Sequence, residues 1–396
     1  MAEVAEGHPA VVGIGGALGD RRLTNDEFVA EYGVELPENW RIEDRAGIHA
    51  RHFTSEGQFA SDMGIAAARM ALDMAGVKPT EHGLPIDAIF LSTSTPDQFS
   101  PSTAVFVNQG LGVDRAGPTV DHNAACAGFV YGMFGAVNAL SREPDVYHRA
   151  LVLGAEMPSA GINPKDHKTA GLFGAGSGAV ILERRPDAIE PQFAFWADPD
   201  PEAIQVKAGL RFPPKSLDDL TITMEGLRVG QHAAEKMGKL TYQVADMADR
   251  YNPRTQKIDW DELYFAPHPG NGILNQMLAN VLEVPKGHLI TSVADHGNTS
   301  SASIPLALHQ AREKGMIRDG ESYTVLSPAI GAGMVAGAGI YTVEVGPGDP
   351  AVEAEAAEAR QSRRARLDGY PDTLGGVREE YAAHLDKMKV SYAAQE

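Results

Sequence analysis

Between residues 8 and 345, short β-rich apolar runs alternate with longer stretches whose apolar positions recur at helical spacing, the pattern of an α/β domain. The runs AVVGIGG (10–16), DAIFLSTS (87–94), PTVDHNA (118–124), ALVLGAE (150–156) and GAVILER (178–184) predict strands. So do ELYFAPH (262–268), LITSVAD (289–295), YTVLSPA (323–329) and GAGIYTVEV (337–345). Helices are predicted over 60–75, 126–142, 226–250, 272–283 and 301–314.

The later half of this pattern echoes the earlier one at an offset of about 175 residues. Asp87-Ala88-Ile89-Phe90-Leu91 is echoed by Glu262-Leu263-Tyr264-Phe265-Ala266, each after a helix and a turn. Asp121-His122-Asn123 and Asp295-His296-Gly297-Asn298 each precede a helix, and LVLGAE (151–156) is answered by TVLSPA (324–329). Each half closes on a Gly-rich turn and a strand, FGAGSGAVILE (173–183) and IGAGMVAGAGIYTVEV (330–345). Two similar halves, 1–186 and 187–345, are therefore expected, joined where charged ERRPD interrupts the pattern. Residues 346–396 change to Ala, Glu and Arg with few strong apolar positions, so a helix-prone extension with solvated faces is expected there.

Composition narrows the function classes. No run of about 18 apolar residues occurs, so no membrane span is expected. The first residues lack a basic segment followed by an apolar stretch, so no secretory signal is expected and the cytoplasm is the expected compartment. A net charge of −19 argues against a general nucleic-acid or anionic-membrane surface. One cysteine excludes an intrachain disulfide and a CxxC metal site, and no metal is expected.

That cysteine, Cys126, lies in DHNAACAGFVYGMFGAVNAL, between a predicted strand and a helix whose Phe129, Val130, Phe134, Val137 and Leu140 recur at helical spacing. A thiol at a helix N-terminus faces unpaired N–H groups, which are expected to lower its pKa. Two further segments sit at strand ends, where α/β folds carry functional loops: FAPHPGN (265–271), with His268, and DHGNTSS (295–301), with Asn298. By the repeat, the Asn298 loop corresponds to the Cys126 loop. If the halves pack about a pseudo-two-fold axis, both loops approach one site. His122 and His296, adjacent to these residues, are expected to be structural. GAGMVA (331–336) is followed by a strand, not a helix, which argues against dinucleotide binding. Ser177 has Ala175 where a nucleophile elbow needs glycine.

The AACAGF, HPGN and HGNTSSASIPLAL segments, with Arg45-Ala46-Gly47-Ile48, Phe99-Ser100-Pro101 and the Gly-rich turns, together strongly resemble the β-ketoacyl-acyl-carrier-protein synthase III family of the thiolase superfamily. The resemblance runs from about residue 10 to 345. It implies an α/β thiolase fold, two pseudo-two-fold related halves in an αβαβα arrangement, and a homodimer. It implies that Cys126 accepts an acyl group and that His268 and Asn298 hold the enolate of a malonyl-type or β-ketoacyl extender. The backbone N–H groups of Cys126 and Gly333 would form the oxyanion hole and Asn271 would brace His268. Phe99 and Met224 would border the substrate pocket. Substrates would be thioesters of coenzyme A or of phosphopantetheine on acyl-carrier protein, with no permanently bound cofactor. Solitude of the cysteine excludes the two-cysteine thiolase mechanism. The alternative within the same resemblance is acyl transfer to an alcohol, amine or carrier without a new carbon–carbon bond.

Several positions depart from the family pattern. His167 stands where an arginine contacts coenzyme A, Ala175 where an aspartate is common, and Leu227 where an asparagine is usual. Ile273 replaces an arginine that docks carrier protein, and residues 272–283 contain no lysine or arginine. Lys207, Arg211, Lys215 and Arg228 are the alternative basic candidates for an acidic carrier. These losses, with the extension, suggest a specialised-metabolism relative.

Overall fold

The computed structural model describes residues 7–114, 116–207 and 215–347, and helical positions 354, 356–362 and 365 beyond them. Arg211 lies outside the described residues. The chain divides into two compact units, 1–349 and 350–396. Both expected halves lie within the first unit.

Among the described residues nine strands make one sheet: β1 (His8–Leu18), β2 (Ala88–Ser92), β3 (Thr119–His122), β4 (Arg149–Glu156), β5 (Gly176–Arg185), β6 (Gln192–Asp200), β7 (Leu263–Phe265), β8 (Ser322–Gly331) and β9 (Gly333–Glu344). Its order is β7-β8-β9-β1-β5-β4-β2-β3, with β6 also paired to β9. In the first half β1 runs antiparallel to β5, β5 antiparallel to β4, and β4 parallel to β2. In the second, β6 is antiparallel to β9, β9 antiparallel to β8, and β8 parallel to β7. The same four-strand pattern is thus built twice, and the two copies meet at one registered parallel pair, Val11 with Val343.

The main helices are α1 (Ala60–Met74), α2 (Gly128–Arg142), α3 (Gly226–Met247), α4 (Gly272–Val281) and α5 (Ser303–Glu313). Helix α2 packs on β2 and β4 of the first copy and on β8 and β9 of the second. Phe129, Met133 and Leu140 of α2 share one buried cluster with Ile304 and Leu308 of α5 and with Val180 and Val325 of opposite copies. Helix α1 covers the outer face of the first copy and α3 that of the second. The result is the five-layered αβαβα sandwich. Burial of both sheet faces explains why the strands read as continuous apolar runs and not as alternating ones.

One predicted strand is corrected. The 289–295 run contributes only an isolated bridge, Leu289 with Phe265, and Val293–His296 form a helical turn. Backbone N–H groups of Asp295 and His296 donate to the Ser292 carbonyl, so the local turn takes the bonds that a fifth strand would need.

Candidate active site

The loops after β3 and around Asn298 are built alike. Asn123 Oδ1 accepts the Ala125 N–H at 3.0 Å, and 175 residues on Asn298 Oδ1 accepts the Ser300 N–H at 2.8 Å. Ala125 and Ser300 both hold positive φ, 45° and 52°, each opening a 3₁₀ turn (Ala125–Ala127 and Ser300–Ala302) that runs into α2 or α5. This left-handed step is costly for a residue with a Cβ, and here the Asn side chain fixes it. The residue following each step is Cys126 in the first half and Ser301 in the second.

The copies differ in what the neighbouring strand end presents to that residue. β4 ends in Glu156, fully buried, whose Oε1 lies 2.8 Å from Ser301 Oγ and whose Oε2 accepts Ser94 N–H, Ser94 Oγ–H and Thr95 Oγ1–H at 2.8–3.0 Å. Ser301 Oγ is also 2.9 Å from the Ser92 carbonyl. At the corresponding position β8 ends in Gly331, where a Cβ would fall 2.2 Å from the Ala124 carbonyl oxygen and 3.1 Å from Cys126 N. The serine is therefore locked, while the glycine lets the cysteine turn pack closely and leaves its thiol facing a cavity.

That cavity, about 1070 Å³, is lined by Cys126, His268 and Asn298 together. The Cys126 thiol donates to Ser300 Oγ at 3.7 Å. His268, 5% exposed, follows β7, with its N–H on the Pro328 carbonyl at 2.8 Å. Asn298 is clamped by its N–H to the Leu172 carbonyl and by its carbonyl to Gly174 N–H. Because Oδ1 is occupied by Ser300 N–H, the Asn298 amide NH₂ is left to face the cavity. A Cβ built on Gly270 would sit 2.9 Å from His268 Nε2 and 3.6 Å from Asn298 Nδ2, so both nitrogens border one small space.

Burial drives the electrostatics. It lowers the His268 pKa to about 4, so the imidazole is neutral near neutral pH. It raises the Cys126 thiol to about 11, with Glu156 adding to the rise while hydrogen bonds with Ser300 and Asn298 oppose it. The expectation of a helix-lowered thiol pKa is thus corrected: desolvation outweighs the N–H groups of the 3₁₀ turn.

Other expected positions fare differently. Met224 lines the cavity, but Phe99 is 87% exposed and outside it. After Pro96 the chain leaves the wall, because Asp97 accepts Ser61 N–H and donates its own N–H to Thr103 Oγ1. Asn271 lines the cavity yet does not brace His268; its Oδ1 caps α4 through Ile273 and Leu274 N–H, and its Nδ2 donates to the Arg45 carbonyl. The brace is Asn275, one turn into α4, whose buried Nδ2 donates to the His268 carbonyl at 3.2 Å. Gly333 does not line the cavity, whereas Ala332 does, so the turn meets the site one residue earlier than expected.

His122 holds the Gly128 carbonyl at 2.8 Å, and His296 stands 3.2 Å from Gln310 Nε2 and edge-on to His52. Ser177 Oγ–H donates to the Gly154 carbonyl in the core. At the mouth, Arg45 stacks over Trp40 at 4.7 Å, and His167 packs edge-on to the same ring. Ile273, Met277 and Val281 leave an exposed apolar stripe on α4, and Arg228 is tied to Asp200.

Two repeated half-sheets around shared inner helices, with a cysteine turn at the start of one of them, define a thiolase-fold enzyme core. A family model described as 3-oxoacyl-[acyl-carrier-protein] synthase III matches residues 120–197, and one for its C-terminal part matches 254–343. The chain is 37% identical over 332 residues to the β-ketoacyl-[acyl-carrier-protein] synthase III of Jannaschia sp. (strain CCS1), covering 83% of this chain and 96% of that one. It is 34% identical over 343 residues to synthase III 3 of Streptomyces coelicolor, covering 84% and 96%. Among solved structures, the priming β-ketosynthase of the R1128 polyketide pathway aligns with a TM-score of 0.75 at 27% identity, covering 87% of this chain and 99% of that one. The Pseudomonas aeruginosa PAO1 synthase III aligns at 0.71 and 29%, covering 87% and 100%. The chain belongs to the 3-oxoacyl-[acyl-carrier-protein] synthase III family. Among the described residues no helix is long and apolar enough to cross a membrane.

Proposed function

We propose that this protein carries out decarboxylative Claisen condensation of an acyl group with a malonyl-type thioester, whose free carboxylate is the group lost; a β-ketoacyl-thioester has none to lose. The carrying observation is the convergence of His268 Nε2 and Asn298 Nδ2 on one space in the cavity that holds Cys126. The Cys126 sulfur, on giving up its proton, attacks the acyl-thioester carbonyl, and the donor's thiol leaves. The extender thioester then loses carbon dioxide, and the electron pair of the broken carbon–carbon bond passes into an enolate. Its oxygen is held by the His268 and Asn298 N–H donors, which stabilise negative charge without a cation. The enolate carbon attacks the acyl-cysteine carbonyl, the carbon–sulfur bond breaks, and the Cys126 thiolate takes up a proton from solvent, the first one having left with the donor's thiol. Cys126 N–H and, in place of Gly333, the Ala332 turn are the oxyanion-hole candidates.

Thioesters of coenzyme A or of acyl-carrier protein, in fatty-acid or polyketide-type metabolism in the cytoplasm, fit this reading. A homodimer across β3 is supported by its place at the sheet edge and by the exposed Phe99 and Phe134. Transfer to an alcohol or amine would not require the Asn298 amide in the cavity. Mass spectrometry after incubation with acyl-thioesters is expected to show an adduct on Cys126. Carbon dioxide release from malonyl-thioester is expected to disappear in the His268→Ala/Asn298→Ala double variant; retained release would refute the enolate role.

A further inference from the structure

The two asparagine-held turns of the repeat differ at the left-handed step itself. The first half has Ala125 there and the second has Ser300, with φ of 45° and 52°. In both, the asparagine two residues earlier accepts the backbone N–H of the step. The second half therefore places a hydroxyl where the first has none. Ser300 is 4% exposed, and it lines the cavity. Among the described residues its Oγ meets one hydrogen-bonding partner, the Cys126 thiol at 3.7 Å. The contact crosses from one half of the repeat to the other.

The neighbouring hydroxyl is not available to the sulfur. Ser301 Oγ is taken up by the Ser92 carbonyl and by Glu156. Burial raises the Cys126 thiol to about 11, and among the influences opposing that rise the bond with Ser300 is the largest. A hydroxyl can serve the sulfur in both of its states, because its hydrogen rotates to suit. It accepts from the thiol and donates to the thiolate, and the second bond is the stronger because one partner is charged.

Accepting the condensing-enzyme reading, we propose that Ser300 is a further catalytic residue, whose hydroxyl donates a hydrogen bond to the Cys126 sulfur whenever that atom carries negative charge. This happens twice in each cycle. The first is the attack on the acyl-thioester, when the thiol proton leaves with the donor's thiol. The second is the breaking of the carbon–sulfur bond of the acyl-cysteine, which returns the electron pair to sulfur. Ser300 keeps its own proton at both steps. Between them the sulfur is a neutral thioester, so loss of carbon dioxide from the extender does not call on Ser300.

That separation defines the test. Ser300→Ala in the full-length protein removes only Oγ, and Ala125 shows an alanine held in the same conformation by the same kind of asparagine bond. Three rates are compared at neutral pH: alkylation of Cys126 by iodoacetamide, loading of Cys126 from coenzyme A thioesters from acetyl to dodecanoyl, and carbon dioxide release from malonyl-coenzyme A. Losing a hydrogen bond to an anion lowers the thiolate population at least about tenfold, and the greater nucleophilicity of the remaining thiolate offsets about half of this on a logarithmic scale. Alkylation and loading are therefore expected to fall at least about threefold. Carbon dioxide release is expected to stay at the parent rate. Unchanged alkylation would overturn the proposal, and so would a fall of all three rates by one common factor, which is the mark of a structural role. If no thioester loads the unaltered protein, the condensing reading beneath falls, while the alkylation ratio still decides the contact between Ser300 and the sulfur.

Discussion

His268 offers a direct physical check on the site. Its side chain is buried, its Nδ1 meets no partner among the described residues, and burial lowers its pKa from 6.5 to about 4. The folded protein thus disfavours the imidazolium, while the unfolded chain takes up the proton near the ordinary value. Between those two pKa values the unfolded state binds more protons, so this residue makes stability fall as pH drops from about 6.5 to about 4 and adds no penalty at pH 7. At about 1.4 kcal/mol per unit, the full effect is on the order of 3 kcal/mol. Urea unfolding of the parent protein and His268→Gln, at neutral pH and at a pH just above 4, separates the effect of His268 from that of other titrating groups. The parent is expected to lose about 2–3 kcal/mol more than the variant on acidification. Imidazole NMR should show one histidine still neutral at pH 5 that is missing from the variant. Equal pH dependence of the two proteins, or a His268 signal titrating near 6.5, would refute the claim that a neutral, desolvated imidazole serves as enolate donor.

With the Cys126 thiol raised to about 11, alkylation by iodoacetamide should climb about tenfold per pH unit from neutrality to pH 10; a plateau near pH 8 would contradict this. Asn275→Ala removes the buried donor to the His268 carbonyl and is expected to cost about 1–3 kcal/mol with a fall in decarboxylation rate. Asn271→Ala removes the α4 cap at about 1 kcal/mol, with decarboxylation nearer the parent rate; the reverse ranking of the two variants in a paired assay would restore Asn271 as the brace. Glu156→Ala takes the carboxylate from buried Ser301, which keeps the Ser92 carbonyl, and from the more exposed Ser94 and Thr95, and is expected to cost about 1–3 kcal/mol in all. Unchanged stability in a denaturant melt would show that this junction between the halves is not held by the carboxylate.

The alternation of apolar runs, the offset of about 175 residues and the segments around Cys126, His268 and Asn298 were enough to indicate an α/β fold built twice and the residues that meet in it. These features are legible because periodicity and turn chemistry are local. Distances between loops are not. Sequence alone could not tell that Asn275 and not Asn271 holds His268, because a helix cap and a brace both call for asparagine and only the helix direction separates them. Nor could it place Phe99 outside the cavity or Ala332 inside it, since each depends on where a turn leaves the wall. The thiol pKa depended on desolvation, a property of everything packed around Cys126, and it reversed the expectation drawn from its own helix. The functional difference between the two halves was also decided in three dimensions. A glutamate closes over Ser301 and a glycine stands against the Cys126 turn, and only the packing of one half on the other makes those strand ends neighbours of the opposite turns.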